Sequence, residues 1–392
     1  MIERDIQASL LHTSSQYPVL VLTGPRQSGK TTLVKTLFPK KHYVSLEDLD
    51  EREFAINDPR GFLNRSPTGL IIDEVQHVPA LFSYIQTRVD ENQKNAEYIL
   101  TGSQNFLLLE KVAQSLAGRA DITHLLPLSL NELKNANISL ENPFKLIMEG
   151  FYPRLYKAPL DIVKWQSNYV RTYIERDVRA VKNIMDLSKF QLCLKLCAGR
   201  IGQLLNMSSL ANECGVDQTT IKSWISIMES SFIIYLLRPH HKNFNKRLVK
   251  QPKLYFYDTG LAAYLLGINS AETLFTHYAK GGLFENFIIS DLIKQYYNLG
   301  KEPALYFWRD HQGNEIDLLI EHKDQLIPIE IKSGETITQE AFKGIKYWQQ
   351  LSGNKTAYVI YAGDQNQQRT VARVLSWKNF GKLGQKIIQD EF

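Results

Sequence analysis

The chain has 392 residues, more than one hydrophobic core usually supports, so its length favours two or three domains. Its composition, 44% hydrophobic and 22% charged, is that of a folded protein and excludes a low-complexity chain. The net charge of +5 permits a nucleic-acid partner without requiring one. Evidence for such a partner therefore has to come from the distribution of charge along the chain.

Two features indicate the compartment. No apolar run approaches the roughly 18 residues of a membrane helix, and the start, MIERDIQASL, mixes both charge signs where a signal peptide has an apolar core. We therefore expect a cytoplasmic protein with no membrane partner. The three cysteines are odd in number and lack CxxC spacing, which predicts small buried thiols at Cys193, Cys197 and Cys214.

The first motif is a glycine-rich loop between a predicted strand and a predicted helix, in PVLVLTGPRQSGKTTLVKTLF. GPRQSGKT matches G-x-x-x-x-G-K-[ST]. The glycines let backbone N–H groups surround phosphates, the lysine reaches the β and γ oxygens, and the threonine hydroxyl holds Mg²⁺. The sequence therefore predicts an ATP and Mg²⁺ site at Gly24, Pro25, Arg26, Gln27, Ser28, Gly29, Lys30, Thr31 and Thr32.

A second predicted strand ends in two carboxylates, in GLIIDE. We expect Asp73 to orient Mg²⁺ or its waters and Glu74 to polarise the attacking water. The alternative is that both acids are ordinary solubilising residues at the end of a strand.

A third predicted strand, EYILTGSQ, ends in hydroxyl and amide groups. These groups can sense a γ-phosphate, and we favour Ser103 for this role, with Thr101 as the second choice. A turn stabilised by side-chain hydrogen bonds is the alternative.

Downstream, SLAGRAD offers Arg119 as an arginine finger. The finger would complete the site of a neighbouring subunit, which requires a homo-oligomer. A structural salt bridge is the alternative.

These segments together resemble a known family. GPRQSGKTTL, LIIDEVQ, ILTGSQ, SLAGRA with PLSLNEL, and GFYPRLY look like the AAA-type ATPases that carry a C-terminal domain of unknown function, DUF4143, and IERDV and KLYFYDTGLAAYLLG extend the likeness. The resemblance implies a P-loop core, which we place at 1–155, and a helical lid or connector, which we place at 156–200. It implies no particular substrate.

The pattern of residues 201–270 predicts a winged helix-turn-helix. SSLANECGVDQTTIKSWISIMESSFIIYLLRP has a serine cap, a short helix, a turn at Gly215, a second cap at Asp217, another helix and a strand. The following strip, RPHHKNFNKRLVKQPK, holds six Lys or Arg and no acid, which is typical of contact with a DNA backbone. A protein-docking module with a solvated basic run is the alternative.

The stretch EIDLLIEHKDQLIPIEIK predicts a hairpin. If its turn centres on Lys323 and Asp324, Asp317 lies opposite Glu330, with Lys332 on the same face. Opposed carboxylates are unfavourable without a cation between them, so we expect a divalent metal there.

Together with a preceding helix that carries Glu285, the hairpin looks like the PD-(D/E)xK nuclease core. The resemblance implies that Glu285, Asp317 and Glu330 bind a metal and that Lys332 helps to activate a water. We therefore assign 271–392 to a nuclease-like domain. A degenerate fold that only binds is the alternative.

The predicted fold class is α/β, with a P-loop ATPase domain, a helical and winged-helix middle segment and an α/β nuclease-like domain. The predicted function is ATP hydrolysis that controls DNA binding and metal-dependent DNA cleavage. A nucleotide-switched regulator that does not cleave is the alternative.

Overall fold

The computed structural model describes residues 2–103, 112, 114–174, 186–242, 248–323 and 325–389, with the backbone alone for residues 173 and 174. Three predicted features lie partly outside the described residues. They are the helical connector at 175–185, the centre of the basic strip at 243–247, and Asp324 of the hairpin turn.

The first part of the chain is built on a five-stranded parallel sheet with the order β2-β3-β4-β1-β5. Every residue of β1 is buried, as expected of a parallel strand that is covered on both faces. Because parallel strands run the same way, β1, β3 and β4 end at one edge of the sheet, which we call the carboxyl edge. The strands are β1 Val19–Thr23, β2 His42–Ser45, β3 Leu70–Asp73, β4 Tyr98–Gly102 and β5 Ala120–His124.

Helices cover both faces of this sheet, five of them fully within the described residues. Alternate residues of β1 enter two different cores, Val19 and Val21 on one face and Leu20 and Leu22 on the other. The helices are α1 Gln7–Ser14, α2 Lys30–Leu37, α3 Leu49–Asn57, α4 Pro59–Asn64 and α5 Leu81–Asn92.

The middle of the chain is mainly helical. A π-helical turn, Val170–Ile174, continues α8. The elements are α6 Leu130–Asn135, α7 Pro143–Glu149, α8 Ile162–Tyr169, α9 Leu187–Ala198, α10 Met207–Cys214, α11 Gln218–Ser230, β6 Ile234–Leu237, β7 Lys253–Phe256, α12 Thr259–Leu265 and α13 Ala271–Thr276.

Helix, turn, helix and strand follow one another in this region in the predicted order. Gly215, with φ +62°, ends α10, and the Asp217 carboxylate accepts a hydrogen bond from the Thr220 backbone N–H at 2.7 Å. The expected serine cap of α10 is wrong, because Asn206 precedes the helix and accepts a hydrogen bond from the Ser209 N–H. β6 pairs antiparallel with β7. The assignment of a winged helix stays a prediction.

The last part of the chain contains a six-stranded sheet with the order β12-β13-β11-β10-β9-β8. The predicted hairpin register is confirmed, since Gln325 pairs with His322 and Ile329 with Leu318. Continued by one residue, this register sets Asp317 opposite Glu330. The elements are α14 Lys280–Asn298, β8 Leu305–Arg309, β9 Glu315–His322, β10 Gln325–Lys332, α15 Lys343–Ser352, β11 Tyr358–Tyr361, β12 Gln367–Gln368, β13 Arg373–Ser376 and α16 Trp377–Ile388.

Helix α14 lies inside the largest hydrophobic core, which draws residues from Leu126 to Ile388. This core crosses the predicted boundaries at 155, 200 and 270, whereas a separate core is formed by buried residues between Trp308 and Val374. The domain boundaries stay a prediction. Within the described ranges, no helix combines the length and the apolar character that crossing a membrane requires.

A buried ion pair joins the N-terminal segment to α6. The Arg4 guanidinium, in a residue that is 7% exposed, donates from Nε to Glu132 Oε1 at 2.9 Å, and from Nη1 to the Ser28 carbonyl oxygen at 2.7 Å. Glu132 is fully buried and also accepts from the Asp5 backbone N–H at 2.9 Å. Each charge depends on the other, because a buried charge without a partner is strongly unfavourable.

We expect Glu132→Ala to lower the free energy of unfolding by about 3–5 kcal/mol, since it leaves the Arg4 charge buried and unpaired. Urea unfolding followed by circular dichroism measures the change. The matched control is Glu213→Ala, which removes the exposed partner of Arg200 and should shift the urea midpoint little. Equal midpoint shifts for the two variants would contradict the role assigned to the buried pair.

Candidate functional site

The loop between β1 and α2 can adopt its path because of two glycines. Gly24 has φ +148° and Gly29 has φ +98°, values that L side chains rarely adopt. A Cβ atom on Gly24 would also lie 2.2 Å from the Leu125 carbonyl oxygen. The first N–H groups of α2 therefore face a tight loop, which is the arrangement that binds phosphate.

Lys30 lies across this loop at the start of α2. Its ammonium group donates to the carbonyl oxygens of Gly24 at 2.9 Å and Pro25 at 3.0 Å. The residue is 6% exposed. A phosphate in the loop would meet a positive charge that the loop already positions.

Three hydroxyl groups converge on Asp73 at the end of β3. Thr31 Oγ1 and Tyr43 OH each donate to Oδ2 at 2.8 Å, and Thr101 Oγ1 donates to Oδ1. Burial, followed by the charge of Asp73, raises the pKa of Tyr43, so this hydroxyl remains a donor. The oxygen atoms of Thr31 and Asp73 are the hard ligands that Mg²⁺ prefers, and the pair fits that ion.

Glu74 adopts a backbone conformation that is uncommon outside glycine, with φ +54° and ψ +44°. Its Oε2 atom accepts hydrogen bonds from the backbone N–H of Ser103 at 3.4 Å, from Ser103 Oγ at 3.2 Å and from the Gln76 side-chain amide. The carboxylate is thereby held at the end of β4. The predicted residues Asp73, Glu74, Thr101 and Ser103 thus meet at the carboxyl edge, while their catalytic and sensor roles stay predictions.

Arg119 lies at the opposite edge of the sheet. Its carbonyl oxygen accepts from the N–H of Val19, the first residue of β1, so it is about 15 Å from the phosphate loop along the strand. Its guanidinium binds both carboxylate oxygens of Asp90 in α5, at 2.5 and 2.8 Å. Arg119 is therefore too far away to serve the loop of its own chain, and its pairing agrees with the structural alternative.

The cations of the basic strip in the middle region differ in their exposure to solvent. Arg238 and Lys250 are exposed beside an open groove of about 1060 Å³, which Met207 and Gln218 at the starts of α10 and α11 also line. Lys253 is 2% exposed and bonded to carboxylates, so it has no access to phosphate. Residues 243–247 lie outside the described part of the chain.

Two lysines hold four carboxylates together at one end of the second sheet. Lys332 Nζ lies 2.5 Å from Glu330 Oε2 and 3.2 Å from Asp317 Oδ2. Lys253 Nζ lies 2.9 Å from Glu285 Oε1, and 2.5 Å from an oxygen of the fourth acid. We call the four acids the acidic cluster: Glu285, Glu315, Asp317 and Glu330.

The electrostatics of the acidic cluster depend on these lysines. Burial, together with the charge of Asp317, raises the pKa of Glu330 well above its usual range. For Asp317, burial acts in the same direction, but the charges of Lys332 and Lys253 outweigh it and lower the pKa. The Lys332 ammonium group lies against both opposed acids, at the position where the sequence predicts a divalent metal.

As arranged, the acidic cluster does not fit a divalent metal. Among the residues that the structure describes, no group of three or more His, Cys, Asp or Glu side chains is placed to hold a metal ion. The predicted metal ligands Glu285, Asp317 and Glu330 do come together, and metal binding by them stays a prediction.

Several residues of these sites could not be assigned to them from the sequence motifs. Tyr43 reaches Asp73 because β2 lies beside β3, and Lys253 reaches the acidic cluster because β7 contacts α14. Arg4 reaches the phosphate loop from outside the motif. Only the order of the strands and the packing of distant segments bring these side chains to their partners.

Comparisons with known proteins find three family matches along the chain. The AAA domain family matches residues 16–134, a domain of unknown function, DUF8612, matches 140–272, and another, DUF4143, matches 280–380. The Walker-type ATPase PABY2304 of Pyrococcus abyssi has a similar structure, with a TM-score of 0.47 and 13% identity, over 68% of this chain and 96% of that one.

The parallel sheet, the phosphate loop and the match to the AAA domain define a P-loop ATPase of the AAA type. The uncharacterized protein Rv2008c of Mycobacterium tuberculosis is 30% identical over 338 residues, which are 85% of this chain and 74% of that protein. The chain belongs to the same family as Rv2008c. The uncharacterized protein MJ1544 of Methanocaldococcus jannaschii is 21% identical, over 88% of this chain and 80% of its own length.

We expect Lys253→Met to raise the affinity of the nucleotide-free chain for Mn²⁺, because the change removes the ammonium group between Glu285 and Glu315. Titration followed by Mn²⁺ electron paramagnetic resonance measures the affinity. Lys250→Met is the matched control, since Lys250 is exposed nearby and should leave the affinity unchanged.

Asp317→Ala in the Lys253→Met background should remove the added affinity. Circular dichroism confirms that each variant is folded. Equal Mn²⁺ affinities of folded Lys253→Met and Lys250→Met would show that Lys253 does not take the place of a metal.

Proposed function

We propose that the chain binds ATP with Mg²⁺ and hydrolyses ATP at the carboxyl edge of the first sheet. The observation that carries the proposal is the 2.8 Å contact between the Thr31 hydroxyl and Asp73, with Glu74 next in the chain and held by Ser103. The AAA domain match over residues 16–134 supports the same function.

In this proposal each residue has a separate task. Backbone N–H groups of residues 26–31 bind the β and γ phosphates, and Lys30 exchanges its two carbonyl partners for phosphate oxygens. Glu74 orients the attacking water and accepts its proton. Mg²⁺, when bound, would be held by Thr31 and Asp73 and would neutralise phosphate charge. Ser103, whose hydroxyl donates to Glu74, would sense the γ-phosphate.

We also infer that nucleotide state reaches the rest of the chain through contacts of the phosphate loop. The carbonyl oxygen of Ser28 accepts from Arg4, which binds Glu132, and the Asn298 amide of α14 donates to the same Glu132 oxygen at 3.5 Å. The Tyr169 hydroxyl of α8 lies 3.5 Å from the Arg26 carbonyl oxygen. A movement of the loop would therefore act on α14 and α8.

DNA is the partner that we propose for the middle region. Arg238 and Lys250 support this proposal, because they are exposed along the groove that begins at Gln218 of α11. Electrostatic contact with phosphates requires such accessible cations. A protein-docking role is the alternative, and loss of DNA affinity on removing the two charges distinguishes the two.

For the last part of the chain, the contacts favour a regulator that does not cleave over a metal-dependent nuclease. The hairpin register sets Asp317 opposite Glu330, which supports the nuclease alternative. However, Lys332 and Lys253 pair with these acids, and among the residues that the structure describes no three acids are placed to hold a metal ion. Incubation of plasmid DNA with the purified chain and Mg²⁺ or Mn²⁺ tests this choice, and cutting that Asp317→Ala abolishes would favour the nuclease.

Two substitutions test the ATPase site. Lys30→Ala should weaken ATP binding, because the phosphates lose a positioned charge, whereas Glu74→Gln should bind ATP but hydrolyse it about 10²–10⁴-fold more slowly. Phosphate release and binding of a fluorescent ATP analogue measure the two effects. Glu53→Gln, an exposed carboxylate in α3, is the control and should match the unsubstituted chain. Equal hydrolysis by Glu74→Gln would remove Glu74 as the base.

Arg119 is tested by comparing both members of its ion pair. If Arg119 acts on a neighbouring subunit, Arg119→Ala should lose hydrolysis while Asp90→Ala retains it, and mixing Arg119→Ala with Lys30→Ala subunits should restore part of the activity. If the Arg119–Asp90 pair is structural, both variants should behave alike. Phosphate release by co-assembled mixtures is the measurement, and no recovery there returns Arg119 to a structural role.

A further inference from the structure

The end of the chain concentrates positive charge. Between residues 365 and 389 there are five basic residues and no acid. The acids of the same sheet gather elsewhere, in the acidic cluster on β9, β10 and α14. The basic residues are Arg369, Arg373, Lys378, Lys382 and Lys386.

Four of these five residues line one open groove of about 740 Å³, which we call the basic groove. β13 and α16 form two of its sides, and Lys355, in the segment before β11, faces them. Among the described residues no acidic side chain lines it, and amide and hydroxyl side chains such as Asn366, Gln368 and Thr370 also line the groove.

The cations of the basic groove are accessible. Lys355, Lys382 and Lys386 are exposed, and within the described ranges their ammonium groups form neither an ion pair nor a hydrogen bond. The Arg369 guanidinium is also exposed, and in the described part of the chain its side-chain hydrogen bonds go to the neutral Gln367 side chain, at 2.6 and 2.9 Å. Several uncompensated positive charges around one concavity attract a polyanion.

We propose that the basic groove binds the sugar–phosphate backbone of a nucleic acid. Lys382 and Lys386 lie one helical turn apart, about 6 Å along α16, so that they present charge as a row. Lys355 and the two arginines supply charge from the other side. This surface is separate from the groove of the middle region and does not depend on the ATPase proposal.

Two other anionic partners fit the basic groove less well. A membrane surface would need the apolar face of α16, but Trp377, Phe380 and Ile387 on that face are completely buried, and α16 packs on α14. An acidic protein would need large exposed apolar anchors, and none of the exposed large hydrophobic side chains among the described residues lines this groove.

The test compares two triple variants of the full chain with equal changes in net charge. Lys355→Glu/Lys382→Glu/Lys386→Glu reverses the basic groove, and Lys94→Glu/Lys134→Glu/Lys195→Glu reverses exposed lysines elsewhere. Fluorescence anisotropy of labelled duplex and single-stranded DNA is measured across a series of salt concentrations. The groove variant should lose at least about tenfold in affinity, and its salt slope on duplex DNA should be shallower by roughly 2–3, whereas the control should change little.

Lysine acetylation with and without DNA locates the contact independently of affinity. DNA should protect Lys355, Lys382 and Lys386 in the unsubstituted chain, and circular dichroism checks that both triple variants are folded. Equal losses in the two variants, unprotected groove lysines, or a chain that sediments with anionic vesicles but does not bind DNA would each overturn the proposal. Preference between duplex and single strand identifies the form of nucleic acid.

Discussion

The need to satisfy buried polar groups on α14 determines how the parts of the chain fit together. The Asp291 carboxylate accepts from the Leu130 N–H at 2.7 Å, and the Lys294 ammonium donates to the Leu128 carbonyl oxygen at 3.0 Å. Burial lowers the pKa of Lys294 to about 8, against the charge of Asp291, which raises it. Each group would be costly without its partner, so α14 can occupy its core only when the start of α6 is in place.

The same helix joins the nucleotide site to the acidic cluster by direct contacts. Its last residue, Asn298, donates to Glu132, which holds Arg4 and through it the Ser28 carbonyl oxygen. Near its other end, Glu285 binds Lys253, about 20 Å away along the helix axis. Since α14 is buried along most of its length, a shift at one end cannot be absorbed by solvent-exposed turns. The arrangement provides a rigid route between the two sites.

Much of the site at the carboxyl edge could be predicted, because the motif lies within one strand, loop and helix. The hairpin register could also be predicted from the sequence, since a two-residue turn sets the pairing of its strands. The contacts of Asp73 with Tyr43 and of Ser28 with Arg4 could not be predicted, because they depend on strand order and on a segment outside the motif. The left-handed backbone of Glu74 was also unpredictable, since its residue type usually avoids that region.

Lysine illustrates why charge in a sequence does not reveal its role. Lys253 belongs to a basic strip in the sequence, yet it is buried among carboxylates, where it adds little to the field outside the molecule. Lys382 belongs to no motif, yet it is exposed in a groove that no described acid lines. The difference lies in what faces each ammonium group across space. A buried lysine balances the acids that would otherwise repel one another, whereas an exposed one leaves its charge for a partner.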